Sequence, residues 1–309
     1  MIIRYSRFVA SRHAMHDGDY LFEWRPSWEG SPVSRDLAWD FDEPDQYPAL
    51  IAKRKPGLMA SRAEKAFHAA VSSGDPQAIL NAAGRLPKYA DAARTIAGLL
   101  LLESNLDRGM AILDEVIDGG ADIWHDPFLR KYLPEAGLSV SIAVGVAVHL
   151  PLRSMSVALL LAELHQARNE EATALKLLGK VEATTHVRLS QAELLFEAGD
   201  FAAVLAVTEG VINDDDVTAL MLAYRGRALA ELDRFDEAVS TFARAIEFPN
   251  RAPAVRAVAL VGRGMINEAR GEMILAENDF TQALMEVPDD EEAQQHVREL
   301  IEGRTVEQE

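Results

Sequence analysis

The sequence predicts a mainly α protein: a series of helical hairpins with a small β element over residues 138–152 and a β or irregular region at the N-terminus. Three observations predict it. Small residues recur at a fixed spacing of 12 inside helix-like segments, strict apolar alternation is confined to Leu138 through Leu152, and proline and aromatic residues gather before residue 60. With 309 residues, 49% of them hydrophobic, the chain has apolar material for one or two packed domains.

Residues 1–60 hold three of the four Trp, three of the six Tyr and five of the thirteen Pro. Ile2 to Val9 and Tyr20 to Trp24 favour strand and flank the turn-like His16-Asp17-Gly18-Asp19, which predicts a hairpin. From residue 25 to 60, Pro26, Pro32, Pro44, Pro48 and Pro56 accompany Asp40, Asp42, Glu43 and Asp45, a composition that predicts extended wrapping chain.

Residues 61–137 change to helical periodicity. The segments Ala63–Ser73, Pro76–Arg85, Tyr89–Glu103 and Leu106–Ile117, ended by Gly74, Gly84 and Gly119-Gly120, predict two degenerate helix pairs. Leu138, Val140, Ile142, Val144, Val146, Val148, Leu150 and Leu152 then occupy alternate positions, the pattern of a strand. At about 3.3 Å per residue, one strand of that length would reach roughly 50 Å, so two strands, or one bent strand, are expected around Gly145.

The repeat lies in residues 153–288. Ala162, Ala192, Gly226 and Gly264 are followed 12 residues later by Ala174, Val204, Ala238 and Ala276, and successive pairs are offset by 30, 34 and 38 residues. The intervening turns read Asn169-Glu170-Glu171, Gly199-Asp200-Phe201, Asp233-Arg234-Phe235 and Gly271-Glu272-Met273, residues that end one helix and begin another. Phe242 and Phe280 come four residues after Ala238 and Ala276, Ala245 and Ala283 three further on, and Pro288 closes the last unit. On these residues the chain resembles a tetratricopeptide repeat (TPR) protein, a TPR-like α-solenoid, over residues 155–288. The first two units depart from that pattern with Leu178 and Thr208 where an aromatic is usual, and the earlier helix pairs depart further.

The physics behind the pattern is local. Two antiparallel helices bury only part of their apolar surface on each other, so small residues at the crossing let backbones approach and the next pair covers what remains. Residues 289–303, with Ala293, Val297, Leu300 and Ile301 on one stripe, predict a capping helix, followed by a tail at 304–309. The order of Leu138–Leu152 and then Ser156–Val181 is also similar to the repeat domain that precedes the ATPase module in type VII secretion AAA+ proteins. No GxxxxGK[ST] phosphate loop is present, so that family's nucleotide chemistry is not carried over.

Charge and composition exclude several functions. Forty-nine Asp plus Glu against 31 Lys plus Arg give a net charge of -18, which opposes nucleic acid and anionic lipid as partners. The absence of Cys removes disulfides, thiol nucleophiles and cysteine zinc sites. No signal-like or membrane-spanning apolar run is seen, and a cytoplasmic location without membrane insertion is expected. No GxSxG, HExxH, GxGxxG or EF-hand loop occurs, so no enzyme activity, catalytic residue, cofactor or metal is predicted. His13, His16, Asp17 and Asp19 form a close cluster, which reads as a solvated turn. Asp214-Asp215-Asp216 and Asp289 to Glu292 read as solvated helix starts.

The resemblance implies that the first helix of each hairpin lines a concave face. The positions it implies there are Glu163, Gln166, Glu193, Phe196, Glu197, Arg227, Glu231, Met265 and Glu268, mostly carboxylates. The family's clamp for acidic tails needs Lys and Asn, which this face lacks. The expectation is therefore a protein-protein interaction scaffold whose acidic groove takes a basic or amphipathic protein or peptide segment, with self-association left open. The alternative is a regulatory or assembly subunit, for example a secretion-associated one, that binds through residues 1–60 and the strand element with the repeats as support.

Overall fold

The computed structural model describes residues 43–143 and 146–306. The expected hairpin within residues 1–24, the His13 to Asp19 cluster and the bend at Gly145 lie outside the described residues. Among those described, the chain is mainly α, with fifteen α-helices and one two-stranded antiparallel sheet. None of these helices is long and apolar enough to cross a membrane. The described chain divides into two compact units, one of residues 43–165 with 171–194, the other of 166–170 with 195–306.

The first unit opens with a 3-10 helix, Pro44–Gln46, and helix α1 (Tyr47–Lys53), where the sequence predicts extended chain. The reason is positional: Pro44 and Pro48 stand in first turns, where a missing N–H breaks no hydrogen bond and a fixed φ suits the helix. Burial of Tyr47 and Ile51 then holds α1 in place. Helices α2 (Arg62–Ser72), α3 (Pro76–Arg85), α4 (Ala90–Ser104) and α5 (Leu106–Asp118) start and stop within one residue of expectation. Ser61, Asp75 and Asn105 cap α2, α3 and α5 by accepting backbone N–H groups at 2.9–3.2 Å.

Helices α4 and α5 cross at two glycines. A Cβ on Gly98 would stand 2.7 Å from Leu113 Cγ, and one on Gly109 would stand 2.9 Å from the Gly98 oxygen. Helix α6 (Pro127–Tyr132), which the glycine and periodicity signals did not single out, is capped by Asp126 and completes an aromatic core. Phe67 stacks on Tyr89 at 4.9 Å and meets Phe128 edge-on at 4.5 Å, and Phe128 reaches Tyr132 at 4.7 Å.

Strands β1 (Gly137–Ala143) and β2 (Val146–Pro151) pair antiparallel, Leu138 opposite Leu150 and Val140 opposite Val148. Of the alternating apolar residues, the described ones, Leu138, Val140, Ile142, Val146, Val148, Leu150 and Leu152, are all buried. Helices α7 (Ser154–Gln166), α8 (Glu171–Leu178) and α9 (Thr185–Glu197) follow, Gln166 and the last three residues of α9 belonging to the second unit.

The second unit is built from α10 (Phe201–Val207), α11 (Asp216–Glu231), α12 (Phe235–Ala245), α13 (Pro253–Ala269), α14 (Met273–Glu286) and α15 (Glu291–Val306). Each hairpin turns on one residue in the left-handed region: Asn169, Gly199, Asp233 and Gly271, with φ of 58°, 74°, 58° and 75°. Each stands seven residues after its small residue, so the sequence repeat is a backbone repeat.

The crossings use the small residues. Phe242 of α12 lies against both Gly226 of α11 and Gly262 of α13, and Phe280 of α14 lies against Gly264, with a Cβ at Gly264 only 2.7 Å from Phe280 Cε1. Ala162, Ala174, Ala192, Val204, Ala238 and Ala276 are all buried. Leu178 and Thr208, where the resemblance expects aromatics, are buried too, the Thr208 hydroxyl donating to the Val204 carbonyl at 2.7 Å. Helix α15 closes the unit with Ala293 and Leu300 on the core formed with Leu260, Val261 and Phe280, and it runs to Val306, three residues beyond the expected cap.

Candidate functional site

Helices α11, α13 and α15 share a face in the second unit. Arg227, Ala230 and Glu231 of α11 line a small cleft with Val258, Gly262, Met265 and Ile266 of α13, and the ring of Phe242 forms its floor. The cleft is about 30 Å³, room for one small group. Apart from Arg227 and Glu231, the residues that line it are apolar or glycine. Met265 also packs on the core of α13, α14 and α15.

Beside the cleft, charge is arranged around one guanidinium. Arg227 lies 4.2 Å above the Phe196 ring, which itself packs on Phe201 at 5.3 Å and on Tyr224 at 6.1 Å. Burial pushes the Arg227 guanidinium down, while Tyr224, Glu292, Glu231 and Glu197 pull it back towards charge. Burial pushes Glu231 up, against the pull of Arg227. Glu292, in the first turn of α15, is pushed up to about 8, mainly by burial, with Arg227 opposing and Asp290 adding to it. A carboxyl in that range is largely protonated near neutrality.

Glu292 and Asp290 correct the reading of Asp289 to Glu292 as a solvated helix start. Asp290 is 4% exposed and accepts from the Ala293 N–H at 3.0 Å, capping α15 from inside. Asp290 is buried and Glu292 half-buried, while Asp289 and Glu291 stay exposed, a tertiary fact that composition does not carry.

The predicted face divides unevenly. Arg227, Glu231 and Met265 come together at the cleft, and Phe196 joins them under Arg227. Glu197 accepts from Gln166 Nε2 at 2.6 Å. Glu268 meets His296 Nδ1 of α15 at 2.8 Å. In the first unit, Glu163 accepts the Ser141 N–H of β1 at 3.0 Å, so it braces the sheet. Glu193 is 1% exposed and is an interior residue, which helix position relative to Ala192 did not reveal.

Glu268, His296 and Glu299 each place a ligand-type atom within 4.8 Å of the others, and among the described residues they are the set that could hold a metal. His296 stacks on Phe280 at 4.6 Å and 8°, and its Nδ1 is within ion-pair range of Glu268 but is not aligned as a hydrogen bond. The stack and the ion-pair contact account for where the ring sits. Gly262, Glu292 and His296 were missed as members of this face. A second glycine two residues before Gly264 was the available signal for the cleft.

No protein-family model matches the chain, and no curated protein matches it. Among solved structures it is similar to the N-terminal domain of the EccA1 ATPase from the ESX-1 secretion system of Mycobacterium tuberculosis. The identity is 14% and the TM-score 0.48, over 81% of this chain and 88% of that one.

Proposed function

We propose that this protein is a non-enzymatic interaction module that receives a basic or amphipathic segment of a partner protein on the α11, α13 and α15 face. The observation that supports the reading is the pairing of an apolar niche with desolvated carboxylates: Phe242, Val258 and Ile266 line the niche, while Glu231 and Glu292 stand beside it around Arg227. An apolar side chain of the partner fills the niche, and a neighbouring Lys or Arg supplies the positive charge that lets Glu292 ionise. The hairpins resemble those of tetratricopeptide arrays, whose first helices present such faces. The net charge of -18 would speed encounter with a cationic segment at low salt.

The test is fluorescence anisotropy with a labelled amphipathic helical peptide bearing lysines on its polar face. Binding is expected to weaken between roughly 50 and 300 mM salt, and the isosteric Glu231→Gln, which keeps the packing beside Arg227, is expected to weaken it about tenfold. A peptide whose lysines are replaced by glutamates should not bind. Capture that ignores both salt and Glu231 would end the reading.

A further inference from the structure

We propose that Arg225 and Arg244 form a site for a phosphate-class oxyanion, independent of the α11, α13 and α15 face. Both arginines line a cleft of about 200 Å³ in the second unit, together with Thr208, Gly210, Val211 and Ile212 from the connection between α10 and α11. Arg225 and Arg227 are two residues apart on α11, about 200° around the helix, so the cleft opens away from Arg227.

Each guanidinium is fixed along one edge and open along another. Arg225 Nη1 donates to the Leu205 carbonyl at 2.7 Å and to the Thr208 hydroxyl at 3.3 Å, the latter held in place by its own bond to Val204. Arg244 Nη2 donates to the Val211 carbonyl at 2.7 Å. Arg244 is exposed, and no N–H of the half-buried Arg225 is buried without a partner, so both guanidinium groups also reach solvent.

No described carboxylate lies within 4.0 Å of either guanidinium, although acids outnumber bases in the chain by 49 to 31. Arg256, Arg263 and Arg234, by contrast, are each paired with a carboxylate at 2.6–2.7 Å. Glu237, the carboxylate whose ionisation Arg225 favours, is held by both arms of Arg234 at 2.7 and 2.8 Å. Two guanidinium groups lining one cleft of about 200 Å³ concentrate positive charge that a phosphate dianion would balance, and each can bond phosphate oxygens through paired N–H groups. The phosphate is either free or carried on a peptide; the chemistry of capture is the same.

The full chain is titrated with sodium phosphate at constant ionic strength set by chloride, with amide NMR shifts read at residues 208–212. Phosphate is expected to saturate these shifts at concentrations where chloride leaves them still, and Arg244→Gln is expected to weaken binding at least tenfold. Because that substitution also removes the Val211 anchor, Ile212→Asp gives a second arm. Ile212 is 66% exposed, and a carboxylate there opposes the anion without breaking a bond. Arg85→Gln, at an exposed arginine of α3 in the first unit, should bind as the unsubstituted protein does. A phosphoserine peptide that binds tighter than phosphate assigns the site to peptide-borne phosphate, and equal binding assigns it to the free anion. Shifts no larger for phosphate than for chloride, or unchanged affinity in both cleft variants, overturn the proposal.

Discussion

The ring of Phe242 stands so close to the backbone of Gly262 that a Cβ there would lie 2.5 Å from Cζ, and on the opposite side a Cβ at Gly226 would lie 2.9 Å from the same ring. The ring is wedged between α11 and α13 and is fully buried. Gly262→Ala gains up to about 1 kcal/mol of helix propensity but overpacks this wedge, which costs about 1–3 kcal/mol. The expected net result is a lower urea midpoint. Gly84→Ala in α3 meets nothing within 4 Å and keeps the propensity gain, so its midpoint should rise. Equal behaviour of the two variants would contradict the wedge.

That wedge also marks how far the sequence could be read. Gly226 and Gly264, with Phe242 and Phe280 sixteen residues later, were legible because a crossing needs a small residue under a large one at a fixed helical distance. Helix α1 was not, because Pro44 and Pro48 look the same in an extended chain and in a helix's first turn; burial of Tyr47 and Ile51 decides between them. The face was read in part. Arg227, Glu231 and Met265 follow from helix periodicity, whereas the burial of Glu193, the desolvation of Glu292 and the meeting of Arg225 with Arg244 depend on which other helix arrives.

Gly271 tests the repeat at its turn. Its φ is 75° and a Cβ would meet nothing within 4 Å, so Gly271→Ala introduces backbone strain and no clash. The cost is expected to be about 1–2 kcal/mol. The converse change, Asp233→Gly, relieves a residue at φ 58° and should cost nothing or stabilise by some tenths of a kcal/mol. Urea unfolding of both variants checks the pair, and a neutral Gly271→Ala would mean that the turn is not held in the left-handed region.

Tyr47 ties α1 to the sheet. Gly137 and Pro151 form a non-hydrogen-bonded pair of the antiparallel ladder, so the Gly137 carbonyl faces away from β2, and the Tyr47 hydroxyl donates to it at 2.7 Å. The adjacent step is closed normally, Leu152 N–H to the Ala136 oxygen at 2.8 Å. Tyr47→Phe keeps the buried ring and strands the carbonyl, so a loss of about 1–2 kcal/mol is expected. An unchanged denaturation midpoint would show that the carbonyl finds another donor.

Glu292 sets the direction of the pH dependence. Its carboxyl moves from an ordinary 4.5 to about 8 on folding, so between those values the folded chain holds a proton that the unfolded chain has released. Stability therefore falls as pH rises through that window, and Glu231 and Asp290, both pushed up by burial, add the same sign. Glu64 and Asp118 act at the other end: Lys131 and Lys180 hold them below the usual carboxylate range, so their contribution is lost as pH falls below their unfolded values. The optimum is expected nearer pH 5 than pH 8. Glu292→Gln should match the parent protein near pH 5 and exceed it near pH 8, because glutamine has no proton to lose. Urea midpoints across that range check this, and parallel profiles for the two proteins would place Glu292 in water, removing the desolvated carboxyl that the proposed binding face depends on.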